Sequence, residues 1–501
     1  MSRRQFQAAC WIAMSLLACK FYLLPLVHAE AREPDHPNVL WIVAENFALD
    51  FGCYGAANVR TPNIDQLAAG GIRFDRAYAT CPVCAPSRSA FMTGMYATTT
   101  DTHNMRSHRK DDFRLPEGVR PITHRLKDAG YTTANLKRMG NRTVGTGKLD
   151  LNFVNEGQLY DTDDWSHLKD RQPFFAQINM PEAEYDIYDR KSAEKVRVPW
   201  VGEEWHPKVA TPQNVTPPPY YPDHQIVREE WARFLNSASG MDVRIGWILD
   251  QLKQDGVADD TVIFFFADNG RLDARGIHWC FDSGLHVPLI VYWPKNITAP
   301  VGFRAGSLSH RVVSLIDLTA TTLAIAGITP PPTMQGQVIL GKQAAPPRTY
   351  AFAARDRIDE TVVRQRSVHD RQYHYIRNFT KGAGFLTLNR YKEKCFLVKP
   401  LMRELFAEGK LIGPPADLMS PFPHEFLFDT KADPHEIKNL ANSEHAKHRA
   451  ALMRMRAALD AWMIETGDRG HLMESAELVA PFEQEMHDWF GTPKWAKPPQ
   501  K

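Results

Sequence analysis

The segment from Cys84 to Arg88 is the part of the chain whose residue types point most clearly to chemistry. It follows a strand-like run, and Pro86 is typical of the first turn of a helix. A helix N-terminus presents unpaired N–H groups and the positive end of the helix dipole, so it favours an anion. Arg88, one turn further on, can add a forked cation beside the same anion. The pattern predicts an anion site, although a buried cysteine before a helix would give the same letters.

Alternating strand and helix signals surround this segment and must position it. Val39–Val43, Val262–Phe266 and Leu289–Trp293 are continuous apolar runs, which are typical of strands buried on both faces. The predicted helices run from Thr61-Pro62 to Gly70-Gly71, from Pro86 to Thr93, and from Arg228 to Leu252. This alternation predicts the α/β fold class, with a mostly parallel central sheet sandwiched by helices.

The pattern changes near residue 345. Thr361–Val368 and Tyr373–Ile376 alternate polar and apolar residues, as antiparallel strands do. A helix is predicted from Glu444 to Thr466, and the last thirty residues are predicted to be irregular. The predicted division is a signal peptide at 1–29, a large α/β domain at 36–344, and a smaller C-terminal α+β subdomain with an antiparallel sheet at 345–501.

The composition excludes several classes of protein. The chain has 501 residues, of which 44% are hydrophobic, and it contains 26 Phe and 12 Trp. Such an aromatic content indicates a sizeable packed core and argues against disorder. The 60 Lys and Arg residues are nearly balanced by 58 Asp and Glu residues, which leaves a formal net charge of +2. Nothing in this balance indicates a general nucleic-acid binder.

The N-terminal residues have the features of an export signal. Arg3 and Arg4 precede an apolar stretch, Ala8–Val27, and small or apolar residues lead to a cleavage site near Ala29. We expect a periplasmic or extracellular protein, with lipoprotein anchoring through Cys19 as one form and an uncleaved membrane anchor as the alternative. No later segment is long and apolar enough to span a bilayer.

Several motifs resemble those of the sulfatase family. Cys84–Arg88 with Met92-Thr93-Gly94 resembles the family's signature, in which a separate enzyme oxidises the cysteine to formylglycine. Further resemblance lies in Pro37–Val43, Thr61–Asp65, Ala267–Gly270, Asp282–Leu289 and Asp433–Leu440. It extends from about Pro37 to Gly467 and implies an alkaline-phosphatase-like fold. Within the family, the chain is most similar to bacterial proteins related to heparan N-sulfatases.

The resemblance implies a hydrolase that uses formylglycine and a divalent cation, usually calcium in this family. Hydrated formylglycine at position 84 supplies one hydroxyl that attacks sulfur and a second that allows sulfate to leave. The implied cation ligands are Glu45, Asn46, Cys84, Asp268 and Asn269. The family usually has two aspartates where Glu45 and Asn46 stand. The lost charge at Asn46 is expected to weaken metal affinity. The alternative for Asn46 is that it is only a turn residue after a strand.

Other positions depart further from the family pattern. Lys148 lies in an element that resembles Gly-Lys-x-His, and it is expected to hold the sulfate. Asp150 occupies the histidine position of that element, where a carboxylate can act as a base at a suitable pKa. Glu184 falls near a sulfate-binding histidine, although an acid beside a sulfate is unfavourable unless protonated. Ile277 replaces a lysine, and the adjacent His278 is expected to substitute as the acid for the leaving group.

Residues outside the signature are candidates for binding carbohydrate. His103 belongs to a basic stretch that follows the active-site helix, and Arg355 and Glu360 lie in the C-terminal subdomain. All three are predicted to contact substrate, together with Lys148 and Glu184. The alternative for the basic stretch is a solvated loop, and for Arg355 and Glu360 it is a solvated strand.

The leading prediction is an exported sulfuric ester hydrolase that acts on a sulfated carbohydrate or glycosaminoglycan. Cys84, as formylglycine, is the predicted nucleophile, and Arg88 with Lys148 is predicted to hold it and the sulfate. Asp150 and His278 are the predicted acid–base residues. A formylglycine-generating enzyme is the implied partner during maturation, and no nucleic-acid partner is expected.

Two alternatives remain open from the sequence. One is hydrolysis of a phosphate or phosphonate ester on the same fold, because sulfuryl and phosphoryl groups present similar oxyanions. The other is a catalytically impaired, sulfatase-like binding protein. The departures at Asn46, Glu184 and Ile277 favour that second alternative, whereas the intact motif from Cys84 to Arg88 opposes it.

Overall fold

Ten strands form the central sheet of the protein, described from a computed structural model for residues 36–108, 112–184, 209–468, 470 and 474–496. The predicted signal peptide and Cys19 lie outside these residues. The strands are β1 (Asn38–Ala44), β2 (Gly71–Tyr78), β3 (Thr132–Met139), β4 (Arg142–Thr143), β5 (Thr162–Asp164), β6 (Phe174–Met180), β7 (Thr261–Ala267), β8 (His286–Tyr292), β9 (Ser307–Ser309) and β10 (Val313–Ser314). Their order is β10-β2-β8-β7-β1-β6-β3-β4, with β9 beside β2 and β5 beside β3.

Strand β1 lies inside the sheet and determines where the functional side chains emerge. Its seven residues are all buried, and β6 and β7 pair with its two edges in parallel. Ala44 is level with Ala267 of β7 and with Met180 of β6. The residues that follow these three strands therefore leave the sheet side by side at its carboxyl edge.

The mostly parallel sheet predicted from the sequence is confirmed, with antiparallel pairing at β8 and at the short edge strand β4, which pairs with β3. Strand β8 runs antiparallel to both of its neighbours, β2 and β7. Its apolar run has the same character in either direction, so the sequence pattern could not assign its orientation. The connection from Asp268 to Leu285 contains only a four-residue helix, whereas parallel neighbours need a long crossover.

The predicted long helices are present. In the described residues the α-helices are α1 (Pro62–Gly70), α2 (Cys84–Thr93), α3 (Ile122–Asp128), α4 (Gln225–Gln254), α5 (Asp282–Leu285), α6 (Ile316–Ile325), α7 (Arg390–Cys395), α8 (Val398–Ala407), α9 (Pro414–Asp417), α10 (Ala446–Glu465) and α11 (Ala476–Phe490). The 3-10 turns are Gly52–Tyr54, Trp165–His167, Ala258–Asp260 and Lys494–Ala496. Within the described ranges, every helix is too short or too polar to cross a membrane.

The prediction of an irregular C-terminus was wrong. Helix α11 occupies residues that the sequence analysis left without structure, and it has Pro481 in its second turn. A proline inside a helix usually signals its end, which is why the pattern was missed. Packing against α7 supports α11, as seen in the edge-to-face contact of Phe490 with Tyr391 at 5.8 Å between ring centroids.

A separate antiparallel sheet follows residue 345, as predicted. Its strands are β11 (Ala351–Ile358), β12 (Thr361–His369), β13 (Tyr373–Asn378) and β14 (Glu425–Asp429), in that order. Helix α10 covers one face, where Met455, Leu459 and Trp462 join the core cluster of Val368 and Tyr375. The boundary at residue 345 itself stays a prediction, since residues from Pro37 onward form one compact unit.

Candidate active site

The ends of β1 and β7 bring the four predicted oxygen ligands together beside the signature cysteine. Asn46 Oδ1 accepts a hydrogen bond from Asn269 Nδ2 at 2.8 Å, and the N–H of Asn46 donates to Asp268 Oδ1 at 3.1 Å. Cys84 is the first residue of α2, and its Sγ lies 3.9 Å from Asn46 Oδ1. The predicted metal-ligand set, completed by the buried Glu45, therefore forms one cluster.

Asn46 is both a turn residue after a strand and a member of the predicted ligand cluster. Its φ of +64° lies in the left-handed region, which asparagine tolerates better than most residues, so it is a turn residue after a strand. Its side chain also belongs to the cluster, because Nδ2 donates to Glu184 Oε1 at 3.1 Å. The turn and the ligand position are thus compatible.

Arg88 binds the acidic ligands rather than standing free for an incoming anion. Its side chain is 1% exposed, and its Nε and NH2 groups each lie 2.9 Å from Asp268 Oδ2. NH1 donates to Asn179 Oδ1 at 2.6 Å, and NH2 lies 3.4 Å from Glu45 Oε1. Asn179, at the end of β6, is a supporting residue that the sequence analysis did not identify. Arg88 therefore orients the ligand carboxylates, and its predicted hold on the sulfate would be indirect.

Lys148 and Glu184 form an ion pair at the centre of the site. Lys148 Nζ lies 2.9 Å from Glu45 Oε2 and 3.2 Å from Glu184 Oε1, and Glu184 Oε1 lies 3.9 Å from Cys84 Sγ. Burial raises the pKa of Glu184, but Lys148 and the hydrogen bonds outweigh it and lower that pKa to about 2. The carboxylate is therefore ionised, and Lys148 provides the compensating charge that an acid beside a sulfate requires.

The cluster fits a hard divalent cation. Glu45 Oε1 and Asn269 Oδ1 are buried and accept no hydrogen bond within the described residues, although Arg88 NH2 lies 3.4 Å from Glu45 Oε1. Burial, reinforced by the neighbouring Glu184, raises the pKa of Glu45 to about 8 despite the opposing effect of Lys148. A calcium-type site without its cation has buried oxygens that accept no hydrogen bond. It also has a carboxyl group that burial keeps protonated.

A cavity of about 350 Å³ opens beside the cluster and collects the predicted acid–base residues. Cys84, Lys148, Asp150, Glu184 and His278 all line it. Asp150 and His278 both have positive φ values, +49° and +74°, a conformation that the surrounding structure must hold in place. Their meeting in one cavity could not be read from the sequence, because they come from separate loops.

The same cavity has lining residues that the sequence analysis did not assign to the site. They are Val83, Met105, Arg106, Ile277, Asp359, Tyr391, Met486, Trp489 and Phe490. Arg106 belongs to the basic stretch already noted, so its charge was a usable signal. The last three come from α11, whose helix was not predicted.

The protonation state of His278 disagrees with its predicted role. Burial, aided by the nearby cations Lys392 and Arg355, lowers the pKa of His278 well below its usual value. The ring is therefore neutral at physiological pH and is a poor general acid in the resting protein. Lys392 Nζ donates to the carbonyl of Ile277 at 2.5 Å, so a buried lysine from α7 lies beside the position where the family pattern has one.

Three residues predicted to bind substrate lie outside the lining of the cavity. The guanidinium of Arg355 lies 4.4 Å from the ring centroid of Trp279 and donates to the carbonyl of Val363, and the residue is 2% exposed. Glu360 accepts a hydrogen bond from the N–H of Arg390 at 2.7 Å, at the start of α7. Neither lines the cavity, and neither does His103, which is 4% exposed. Burial at the C-terminal sheet and beneath the loops explains why these charges do not reach the cleft.

The relationship of the chain to known proteins agrees with this geometry. The sulfatase family profile matches residues 37–328. An ulvan-active sulfatase of Formosa agariphila is 32% identical over 483 residues, which cover 90% of this chain and 78% of that protein. Human N-sulphoglucosamine sulphohydrolase is 26% identical over 499 residues, covering 90% of this chain and 94% of that protein. The fold also matches that of a solved 2-O GAG sulfatase, with a TM-score of 0.59 at 18% identity over 89% of this chain and 96% of the other. The chain belongs to the sulfatase family.

Proposed function

We propose that this sulfatase is an exported hydrolase that removes sulfate from a carbohydrate, using formylglycine at residue 84 and a divalent cation, Ca²⁺. The observation that carries the proposal is the position of Cys84. Its Sγ lies at a helix N-terminus, 3.9 Å from both Asn46 Oδ1 and Glu184 Oε1, in the cavity that Lys148 lines. The names of the two sequence relatives support a sulfated carbohydrate as the substrate class.

The state of the Cys84 thiol supports the need for modification. Burial, followed by the charge of Asp268, raises the pKa of Cys84 well above its usual value. An unmodified thiol here is therefore protonated, and the thiolate is the nucleophilic form. When oxidised to formylglycine, the residue would supply a hydrated aldehyde whose hydroxyl attacks sulfur, with a formylglycine-generating enzyme as the partner in maturation.

The residues of the chain have separable roles in this proposal. A bound cation would be held by Glu45, Asn46, Asp268, Asn269 and residue 84, and it would supply Lewis-acid stabilisation of negative charge. Arg88 orients two of these carboxylates. The positive N-terminal end of α2 and the ammonium group of Lys148 would hold the sulfate oxygens. Asp150 lines the cavity as a candidate base.

The Lys148–Glu184 pair bears on the choice between sulfate and phosphate esters. Glu184 balances the charge of Lys148, so the cavity holds less net positive charge than an isolated lysine would give. A sulfate monoester carries one negative charge, whereas a phosphate monoester carries up to two near neutral pH. The pairing therefore favours the sulfate ester. A phosphonate monoester has a single charge, and the experiment that follows must include it.

Initial rates with 4-nitrophenyl sulfate, 4-nitrophenyl phosphate and 4-nitrophenyl phenylphosphonate test this function on protein whose residue 84 is modified. All three esters release the same leaving group, so the rates differ only because of the group that is transferred. We expect the highest kcat/KM for the sulfate. Faster cleavage of the phosphonate would establish the alternative hydrolase, and no turnover of any ester would favour the binding-protein alternative.

Substitution of Asn46 by aspartate is predicted to raise calcium affinity about tenfold, because it restores a charged ligand. Without the cation, the new carboxylate should destabilise the protein, since Glu184 Oε1 loses the donor that lies 3.1 Å away. Calorimetric titration with Ca²⁺ measures the affinity. Asn58→Asp is the matched control, because Asn58 has a similar φ of +60° and lies outside the cluster. Equal affinities for wild type and Asn46→Asp would refute the ligand position.

The stabilisation by calcium should depend on pH. The pKa of Glu45 is raised to about 8, so in the cation-free protein its stabilising contribution is present below its usual pKa and is lost as pH rises through about 8. A cation needs the ionised form, and we expect its apparent affinity to fall roughly tenfold per pH unit below that value. The calcium-induced rise in Tm should thus be larger at pH 8 than at pH 6. Glu45→Gln should remove this dependence, and an unchanged pH profile in that variant would place the proton elsewhere.

A further inference from the structure

The cavity has an aromatic wall that the sulfate chemistry does not use. Helix α11 contributes Met486, Trp489 and Phe490 to it, and α7 contributes Tyr391. The rings support one another, with centroids 6.3 Å apart for Trp489 and Phe490 and 5.8 Å apart for Phe490 and Tyr391. Trp489 nevertheless keeps 51% of its surface exposed. A rigid and half-exposed indole at a cavity is suited to covering an apolar face of a ligand.

Charged groups complete this wall. The guanidinium carbon of Arg106 lies 5.8 Å from the ring centroid of Trp489. Asp359 lines the same cavity, is 7% exposed, and accepts a hydrogen bond from Asn389 Nδ2 at 3.2 Å. Burial raises the pKa of Asp359, and the positive charge of Arg106, which lines the same cavity, opposes that shift. The wall therefore combines an aromatic plate, a forked cation and a carboxylate.

The loop that carries Arg106 is fixed to the C-terminal sheet. The N–H of Met105 donates to the carbonyl of Arg357 at 2.9 Å, and Arg357 NH1 donates to the carbonyl of Met105 at 3.0 Å. Asn104 Oδ1 accepts from the N–H of Arg357 at 3.0 Å. These bonds tie the loop to β11 on both sides of residue 105. These hydrogen bonds fix the backbone from which Arg106 extends, as a specificity residue requires.

We propose that this wall is a sugar subsite that selects substrates with a second anionic group. Trp489 would stack on the face of a pyranose ring, Arg106 would bind the second anion in a forked pair, and Asp359 would accept a hydrogen bond from a hydroxyl. The second anion is a carboxylate of a uronic acid or another sulfate, both of which match the guanidinium fork. A cavity of about 350 Å³ has room for such a saccharide. The inference rests on the proposed sulfatase activity and narrows its substrate class.

The test compares substrates that differ only in the second charge. The probes are heparin-derived and ulvan-derived sulfated disaccharides, each native, carboxyl-reduced, or with the second sulfate removed, together with 4-nitrophenyl sulfate. We expect wild-type kcat/KM to fall about 10- to 100-fold when one of the two groups is removed from a disaccharide. A loss on the carboxyl-reduced form would identify the second anion as a carboxylate. A loss on the form without the second sulfate would identify it as a sulfate. Equal rates on all forms would overturn the inference.

Variants of the wall provide a second readout. Arg106→Ala should cost a similar 10- to 100-fold on the doubly anionic disaccharide, mainly through KM, and change 4-nitrophenyl sulfate turnover by less than about threefold. Arg106→Lys keeps the charge without the fork and should be intermediate. Trp489→Ala should lose about 3- to 10-fold on disaccharides only. Arg114→Ala and Trp495→Ala are matched controls, because these exposed residues lie outside the cavity.

The outcomes separate this inference from the proposed function. Turnover of 4-nitrophenyl sulfate without turnover of any disaccharide would overturn the subsite and leave the sulfatase chemistry intact. Equal losses on the aryl sulfate and the disaccharides in Arg106→Ala and Arg106→Lys would likewise overturn it, since they would indicate a structural role. Failure of wild type on 4-nitrophenyl sulfate, with residue 84 modified, would count against the proposed function itself.

Discussion

Cys84→Ala is expected to abolish sulfate ester hydrolysis, with a loss of about 10⁴-fold or more in kcat. The residue is the proposed source of the nucleophile, and alanine can be neither oxidised to an aldehyde nor hydrated. Cys84 is also the first residue of α2, with 4% of its surface exposed, so the small alanine side chain should fit without a clash. Initial rates of sulfate release by ion chromatography measure the effect.

The matched control for this variant is Cys53→Ala. Cys53 lies in the 3-10 turn Gly52–Tyr54, partly buried beside Asp65 and apart from the cavity. It should keep wild-type kcat. Substantial residual activity in Cys84→Ala, above that of buffer, would mean that another group attacks the ester and that the nucleophile is misassigned.

Arg88→Met is expected to have the largest effect on the folded state. Arg88 is buried and holds Asp268, Asn179 and Glu45 at the carboxyl edge of the sheet. Methionine fills similar volume but leaves the buried carboxylate of Asp268 without its cation and removes the contact with Glu45. Breaking a buried pair in this way costs about 3–5 kcal/mol in the free energy of unfolding. Activity should fall as well, because Asp268 would lose its fixed orientation.

Urea unfolding, with and without calcium, measures this loss. Arg114→Met is the control, because Arg114 forms an exposed pair with Glu156 at 2.7 Å and such pairs contribute about 0–1 kcal/mol. Calcium should restore part of the deficit in Arg88→Met by neutralising the same carboxylates. If Arg88→Met unfolds as wild type does, the arginine is not the counter-charge of this cluster.

The part of the site that lies at the ends of the buried strands could be predicted from the sequence. The apolar runs predicted β1 and β7, and the resemblance to the sulfatase family implied Glu45, Asn46, Asp268 and Asn269 as ligands at the ends of these strands, where ligand sites in α/β sheets generally lie. The helix after Cys84 was also predictable, because its proline and its closing glycine are local signals. These features depend on short stretches of chain, which is why they could be read without a structure.

The features that failed depend on long-range packing. Arg355 looked available in the sequence, but the C-terminal sheet buries it beneath Trp279. The pKa of His278 is lowered first by burial and then by Lys392, which is more than a hundred positions away in the chain. Helix α11, with Trp489, is stabilised by its contact with α7 despite Pro481. Charge alone could not show which side chains reach the cavity.

The central claim is that Cys84 is converted to formylglycine in a metal-dependent sulfatase, and the mass of one peptide tests it most directly. Protein purified from its native host is digested with trypsin, and the peptide that contains residue 84 is measured by mass spectrometry. The proposal predicts a peptide lighter than its cysteine form by the difference between a thiol-bearing methylene and an aldehyde carbon. It should also react with a hydrazine reagent, whereas the peptide carrying Cys53 should not. A free thiol at residue 84 in all of the protein would contradict the account.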